Sequence, residues 1–154
     1  MLLNLARPLD TVLPKSSDWV RAMNYFIILK LDEDREIEVG KLGGINFKKG
    51  YYIYVGSAKR GFSKRIQRHL KKNKKLWWHI DYLTVKAEVI EVFKSEADEH
   101  KLAELASKFY EGIKGFGSSD CRCYSHLFYT PQYPTEFVEE AKKLKYIVGR
   151  EAKS

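Results

Sequence analysis

An α+β fold, with a small, mainly antiparallel sheet flanked by helices and a C-terminal covering helix, is predicted by three features of the 154-residue sequence. Uninterrupted β-branched and aromatic runs stand at residues 25–31 and 51–55. Helical periodicity takes over from Phe62, returns after Ser95 and again after Thr135. Glycine-marked breaks and charged turns separate the segments, which keeps the elements short.

The elements follow in order. YFIILKL at 25–31 reads as a strand, and the charged stretch 32–35 as a turn into a second strand at 36–39, together a hairpin. Residues 40–44 break the chain, 48–50 make another turn, and YYIYV at 51–55 is a strand ending at Gly56. Alternation sets Tyr52 and Tyr54 on one side of it and Tyr51, Ile53 and Val55 on the other. From Phe62 a helix carries Phe62, Ile66, His69 and Leu70 on one stripe, flanked by Arg65, Arg68 and Lys72. Residues 77–83 and 88–93 read as strands, and Ser95 with Asp98 supplies the capping pattern for a helix to about Tyr110, with Leu102, Leu105, Ala106 and Phe109 on its stripe. A loop at 112–125 leads to a short apolar segment at 126–129. Thr135 then caps a last helix presenting Phe137, Ala141, Leu144 and Val148.

Length and a 44% hydrophobic content suit one folded unit. The reading divides it into an irregular N-terminal arm at 1–18, containing Pro8 and Pro14, a domain at 19–130, and a C-terminal helix at 131–154 packed on that domain. No window approaches the roughly 18 apolar residues of a membrane span, so a cytoplasmic protein without a membrane partner is expected. Cys121 and Cys123 are one residue apart, a ring too small for unstrained disulfide geometry, and are expected as thiols.

The formal charge of +8 attracts polyanions, with nucleic acid foremost. Its distribution sharpens the expectation, because nine Lys or Arg and no acid stand between Lys59 and Lys75, interrupted by Phe62, Ile66 and Leu70 at helical spacing. Such a run is ordinarily a solvated face. An amphipathic basic helix can also contact phosphates, and Lys64, Arg68, Lys71, Lys72 and Lys75 are the candidates.

The segment Gly50-Tyr51-Tyr52-Ile53-Tyr54-Val55-Gly56-Ser57-Ala58, followed on a helix by Arg65-Ile66-Gln67-Arg68-His69, resembles the GIY-YIG endonuclease superfamily. Trp78-His79-Ile80-Asp81-Tyr82-Leu83, the stretch from Gly115 to Cys123 and Ser125-His126-Leu127 resemble its small prokaryotic Uri-type branch. The resemblance implies a GIY-YIG-like sheet and a metal-dependent nuclease, with Tyr54-Val55-Gly56 as the second triplet, Tyr25 as the end of the first, and Arg65 as the helical arginine. It also implies a glutamate that binds a divalent ion, and Glu99 fits in order. Periodicity independently puts Glu99 on the stripe facing the core, where a carboxylate needs a cation, either a metal or Arg65. Stabilisation by the helix N-terminus is the plainer explanation. Met23 and Asn24 replace the first two residues of the first triplet, and the family's asparagine after the glutamate helix has no counterpart.

The implied activity is hydrolysis of nucleic-acid phosphodiesters, DNA before RNA, with Mg2+ or Mn2+ on Glu99 and the Arg65 guanidinium on the scissile phosphate. Tyr54 is the first candidate base if nearby cations favour its phenolate, with Tyr25 as hydrogen-bonded support and His69 as a possible relay. His79 and Asp81, on one strand face, with Ser118 and Asp120, could edge the cleft. Cys121, Cys123 and His126 form C-x-C-x2-H, but the spacing departs from a zinc knuckle and a second ligand pair is not evident, so zinc is the poorer reading. Trp77, Trp78 and Phe116 could stack on bases, although aromatic residues are more often core. The rivals are a noncatalytic nucleic-acid-binding module, favoured by Met23, Asn24 and the absent asparagine, and a zinc-stabilised interaction domain. A protein partner for targeting and either a monomer or a dimer remain compatible with the sequence.

Overall fold

Strand β1 (Asn24–Leu31) is the spine of the molecule, hydrogen bonded antiparallel to β4 (Gly50–Ser57) on one side and β5 (Glu88–Ser95) on the other. The computed structural model describes residues 24–58, 61–117, 124–144 and 147–151, the last segment by its backbone alone. With β6 (Glu111–Gly112), β7 (Leu127–Thr130) and β8 (Ile147–Glu151), these strands form a six-stranded sheet in the order β6-β7-β4-β1-β5-β8. Every pairing in it is antiparallel. The predicted α+β class is therefore observed, while the arm proposed at 1–18 lies outside the described residues.

A strand between two neighbours must hide both faces, and the β1 sequence does so by alternation. Tyr25, Ile27 and Leu29 enter one buried cluster, with Tyr52 from β4. Phe26 and Ile28 enter the other, with Ile53 and Val55. Helices α1 (Phe62–Leu70) and α2 (His79–Thr84) cover the first face through Phe62, Ile66, Leu70, Ile80 and Leu83. On the second face, α3 (Glu99–Phe109) and α4 (Thr135–Leu144) supply Leu102, Ala103, Ala106, Phe137, Val138 and Ala141. There Phe26 stacks on Phe93 and takes Phe137 edge-on, with ring centroids 4.7 and 4.8 Å apart. Each phenyl group removed from water contributes about 1.5–3 kcal/mol, so this layer holds the sheet to its C-terminal helices.

Four expectations are corrected. The predicted hairpin between 25–31 and 36–39 does not form: β2 (Arg35–Glu38) pairs with β3 (Gly44–Phe47) in a separate two-stranded sheet around the 3-10 turn Gly40–Leu42. The long apolar edges of β1 are taken instead by β4 and β5. Residues 77–83 are not a strand. Asp81 accepts the backbone N–H groups of Trp77 and Trp78, both at 2.9 Å, and this cap starts α2, whose Ile80, Leu83 and Thr84 are buried at helical spacing. The last helix stops at Leu144, and Val148 lies on β8, paired with Lys94 of β5, so the C-terminal segment ends by extending the sheet. Along α3 the buried stripe is Leu102, Ala103 and Ala106, with Phe109 exposed.

Candidate active site at one end of the sheet

The antiparallel register gathers one end of the sheet from distant parts of the chain. Asn24 pairs with Ser57 at the end of β4 and with Ser95 at the end of β5. Helix α3 begins four residues after Ser95, capped by the Asp98 carboxylate, which accepts from the His100 and Lys101 N–H groups. The Asn24 amide donates to the Ala97 carbonyl at 2.8 Å and so ties this turn to β1. The asparagine that interrupts the first triplet thus has a structural task.

Tyr25 lies across from Gly56 in the β1/β4 ladder. A methyl group at Gly56 would stand 2.6 Å from the Tyr25 hydroxyl, so the glycine of the Tyr54-Val55-Gly56 triplet is what lets the phenol lie flat over the strand. The hydroxyl reaches across to α1, where it lies 2.7 Å from Nε2 of buried His69. Nδ1 of His69 has no hydrogen-bond partner. Burial, reinforced by the positive charge of Lys74, lowers the His69 pKa to about 3, so the imidazole is neutral throughout the physiological range.

Tyr54 points to the same face, its ring centroid 5.9 Å from that of His69. Burial raises its pKa, Glu99 raises it further, and Arg65 opposes the rise. Tyr25 is likewise pushed well up by burial and by Tyr54, with Arg65 again opposing. The condition set for Tyr54 as a base, cations that favour its phenolate, is not met by Arg65 alone: desolvation outweighs the guanidinium and holds both groups toward the neutral phenol. Arg65 is held by its Nη1 donating to the Ser57 carbonyl at 3.1 Å and by packing 4.4 Å from the Trp78 ring centre. One bond leaves other guanidinium N–H groups to face the phenols.

Glu99 reaches this end of the sheet from the opposite layer. Its side chain keeps 28% of its surface exposed, and Oε2 lies 3.2 Å from Nδ1 of His126. That nitrogen is also 3.2 Å from the Val55 carbonyl, and because both neighbours are acceptors, Nδ1 carries the proton. The partner anticipated for Glu99 was a metal or Arg65; the side chain found beside it is His126. His126 is positioned by its own backbone, donating to the Phe116 carbonyl and accepting from Val55 N–H. Local pattern could not show this, since 27 residues separate the pair.

The basic candidates divide. Lys64, Arg68, Lys71 and Lys75 line an open groove of about 460 Å³ beside α1, together with Trp77. Lys72 turns away and donates to the Thr84 and Ala87 carbonyls, which corrects its assignment as a phosphate contact: it closes the C-terminal end of α2. Arg68 is partly committed, bonded to Asp81 at 2.7 Å. Asp81 itself is fully buried, which corrects its place at a cleft edge. Burial acts to raise its pKa, but bonds from Trp78, Arg68 and Trp77 hold it below the ordinary carboxylate range. His79, on a helix and not a strand, accepts the Gly117 N–H at Nδ1 at 2.9 Å. Gly117, with φ of +71°, carries that contact in a backbone conformation an L side chain would strain, and any Cβ there would approach the Tyr54 ring. Phe116 is fully buried against Tyr54 and His79, so it belongs to the core and has no free face for a base. Ser118, Asp120, Cys121 and Cys123 lie outside the described residues, as does Met23.

Lys94 was missed. It pairs with Tyr25 across β1/β5, is buried, and holds its ammonium 4.5 Å from the Phe62 ring centre, with burial lowering its pKa. The signal was a lysine in an apolar strand at the register position opposite a motif tyrosine. Among the described residues, no three His, Cys, Asp or Glu side chains gather as a preformed metal cage, and no helix is long and apolar enough to cross a membrane.

Fold and site together define a small α+β domain whose antiparallel sheet gathers two phenols, an imidazole, a guanidinium and a carboxylate at one end. The chain belongs to the family described as Domain of unknown function DUF123, which it matches over residues 24–147. No curated protein and no solved structure matches it.

Proposed function

We propose that this domain is a metal-dependent endonuclease that hydrolyses phosphodiester bonds of nucleic acid, DNA before RNA, on a GIY-YIG-like scaffold of the Uri type. One observation carries the reading: Tyr25, Tyr54, Arg65, His69 and Glu99, contributed by four separate elements, lie together at the end of the sheet where the basic helix α1 begins. Nothing in packing alone requires buried phenols beside a guanidinium and a carboxylate, since desolvating polar groups costs stability that their hydrogen bonds only offset, and such clusters are characteristic of functional sites.

Arg65 supplies planar donors for the non-bridging phosphate oxygens, whose charge grows in the transition state. Glu99 is the residue that would hold a single Mg2+ or Mn2+. The donor set fits such an ion, because one partly exposed carboxylate leaves most of the coordination shell to water and substrate phosphate, the usual arrangement for Mg2+. When bound, the ion supplies charge neutralisation at a phosphate oxygen and at the leaving group. Tyr25 and His69 support the site by their 2.7 Å hydrogen bond: burial keeps the imidazole unprotonated and the phenol neutral, so the pair fixes the Tyr25 ring beside Tyr54 and takes up no proton of its own. Tyr54, a neutral phenol under the charge of Glu99, is suited to orient the attacking water and becomes a better base as that charge is offset.

The noncatalytic nucleic-acid-binding module is favoured by the raised pKa of both phenols, which costs them basicity. Labelled single-stranded, duplex and branched DNA, incubated with Mg2+ or Mn2+ and with chelator, separates the two. The nuclease reading expects cutting by wild type only with the divalent ion, and its loss in Tyr54→Phe and Glu99→Ala. Tight binding without cutting of any substrate would leave the noncatalytic reading in its place. A cytoplasmic location, a protein partner that targets the domain, and a monomeric or dimeric state complete the proposal, the last readable by sedimentation.

A further inference from the structure

We propose that Trp77 and the basic groove beside it seat an unpaired nucleotide, so that the favoured substrate is a single strand or a junction with a free strand; this rests on the nucleic-acid half of the reading above. Trp77 leaves 66% of its surface exposed and its neighbour Trp78 leaves 39%. Two large indoles side by side in solvent forgo burial that each could gain in a core, which marks a contact surface.

The pair is also held in place. The Arg68 guanidinium lies 4.3 Å from the Trp77 ring centre and 5.1 Å from that of Trp78, and the Asp81 carboxylate fixes Arg68 while accepting the N–H groups of both tryptophans. The two rings meet edge-on, with centroids 6.3 Å apart. Backbone and guanidinium are therefore fixed by one buried acid, and the indole is a preorganised shelf.

Chemistry selects the occupant. Lys64, Lys71 and Lys75 line the groove of about 460 Å³ next to Trp77, with Arg68 shared between it and Asp81 and Lys74 turned inward to Thr84 and the Arg68 carbonyl, and among the described residues no carboxylate lines it. Three lysines, the partly committed Arg68 and an exposed π-face match a phosphate backbone with a base turned out of its stack, as in stacking platforms for single strands. A base inside a duplex has no free face to offer. The shelf adjoins the candidate active site, because Arg65, one turn before Arg68 on α1, packs against Trp78 on the same loop. A base seated on Trp77 would thus register the adjoining phosphate toward Arg65.

Fluorescence anisotropy in chelator, which removes cutting from the readout, tests this with the full chain. The probes are a short fluorescein-labelled oligothymidylate, the same strand with abasic sites throughout, and a duplex of equal length. Wild type is expected to bind the strand with bases more tightly than the abasic strand. Trp77→Ala is expected to lose about tenfold or more for the base-bearing strand, to erase the difference between the two strands, and to leave duplex binding unchanged. Trp77→Phe should keep most of the affinity. Equal binding of both strands by wild type, or unchanged binding by Trp77→Ala, overturns the proposal and leaves the indoles to a protein partner. Failure here with metal-dependent cutting intact removes this inference alone. Strand binding through Trp77 without cutting in any metal removes the nuclease reading and keeps this one.

Discussion

The two faces of one sheet, built by alternate residues of the same strands, differ in kind. Toward α3 and α4, β1 and β4 present Phe26, Ile28, Ile53 and Val55, which meet only hydrocarbon and rings. Toward α1 and α2 the same strands present Tyr25, Tyr52 and Tyr54, and the covering helix returns a buried histidine. The apolar face needs only volume and shape. The phenolic face carries groups whose burial disfavours charge, and it holds them with polar contacts such as those of Tyr25 to His69 and Arg65. Both sides of the sheet bury a hydrophobic cluster, but only one of them also buries the phenols and the imidazole, and Glu99 reaches that end of the sheet from the opposite layer.

The largest effect on stability should come from breaking the purely apolar face. Phe137→Ala removes a fully buried ring packed edge-on against Phe26 and is expected to cost about 3–5 kcal/mol in urea unfolding, while cutting per folded molecule stays at the wild-type rate. On the other face, Arg65→Lys keeps the charge and loses the planar fork. It should slow cutting by about 10²-fold or more, equivalent to roughly 2.7 kcal/mol, with an unfolding midpoint close to wild type. Equal losses of stability and rate in both variants would erase the distinction between the faces.

Smaller changes sharpen it. Gly56→Ala forces a methyl group against the Tyr25 ring, within 2.6 Å of its hydroxyl, and should destabilise by about 1–3 kcal/mol while displacing Tyr25 from His69; Tyr25→Phe combined with it should recover only part of the loss. The His69 prediction concerns pH. Its folded pKa is held down to about 3 by burial, whereas the unfolded imidazole titrates near 6.5. The unfolded chain therefore binds the extra proton, so this contribution to stability is complete above about pH 6.5 and is lost as pH falls toward 3, by at most about 1.4 kcal/mol per unit. Urea unfolding of His69→Gln should show a shallower fall between pH 6.5 and 4 than wild type; identical slopes would mean that the imidazole is not kept neutral.

Much of this was legible in the sequence where the determinants are local. The runs around β1, β4 and β5 and the stripe of α1 follow from side-chain periodicity. Of the last stripe, by contrast, only Phe137 and Ala141 are buried, Leu144 being exposed and Val148 on β8. Of the capping pattern read from Ser95 and Asp98 only Asp98 caps, Ser95 ending β5. What escaped depends on partners far along the chain. Residues 77–83 alternate well enough to pass as a strand, yet Asp81 caps them into a turn and helix, and Arg68 secures the capping acid from another element. Lys72 looked like one more cation in a basic run until α2, itself unanticipated, placed two carbonyls beside it. In the site, the order of Tyr25, Tyr54, Arg65 and Glu99 was readable by resemblance. The pairing of Glu99 with His126, the buried position of Lys94 and the neutrality of both phenols required the sheet register and its desolvation.

The account stands most directly on the rate of single-turnover cleavage of labelled DNA in Mg2+ by wild type and by Glu99→Gln, both checked for native unfolding midpoints. It predicts cutting by wild type that chelator abolishes, and a rate lower by about 10²-fold or more in the variant, since the change removes the carboxylate charge and leaves the fold. Cutting by Glu99→Gln at the wild-type rate, or a folded wild type that cleaves none of the DNA substrates, would contradict it.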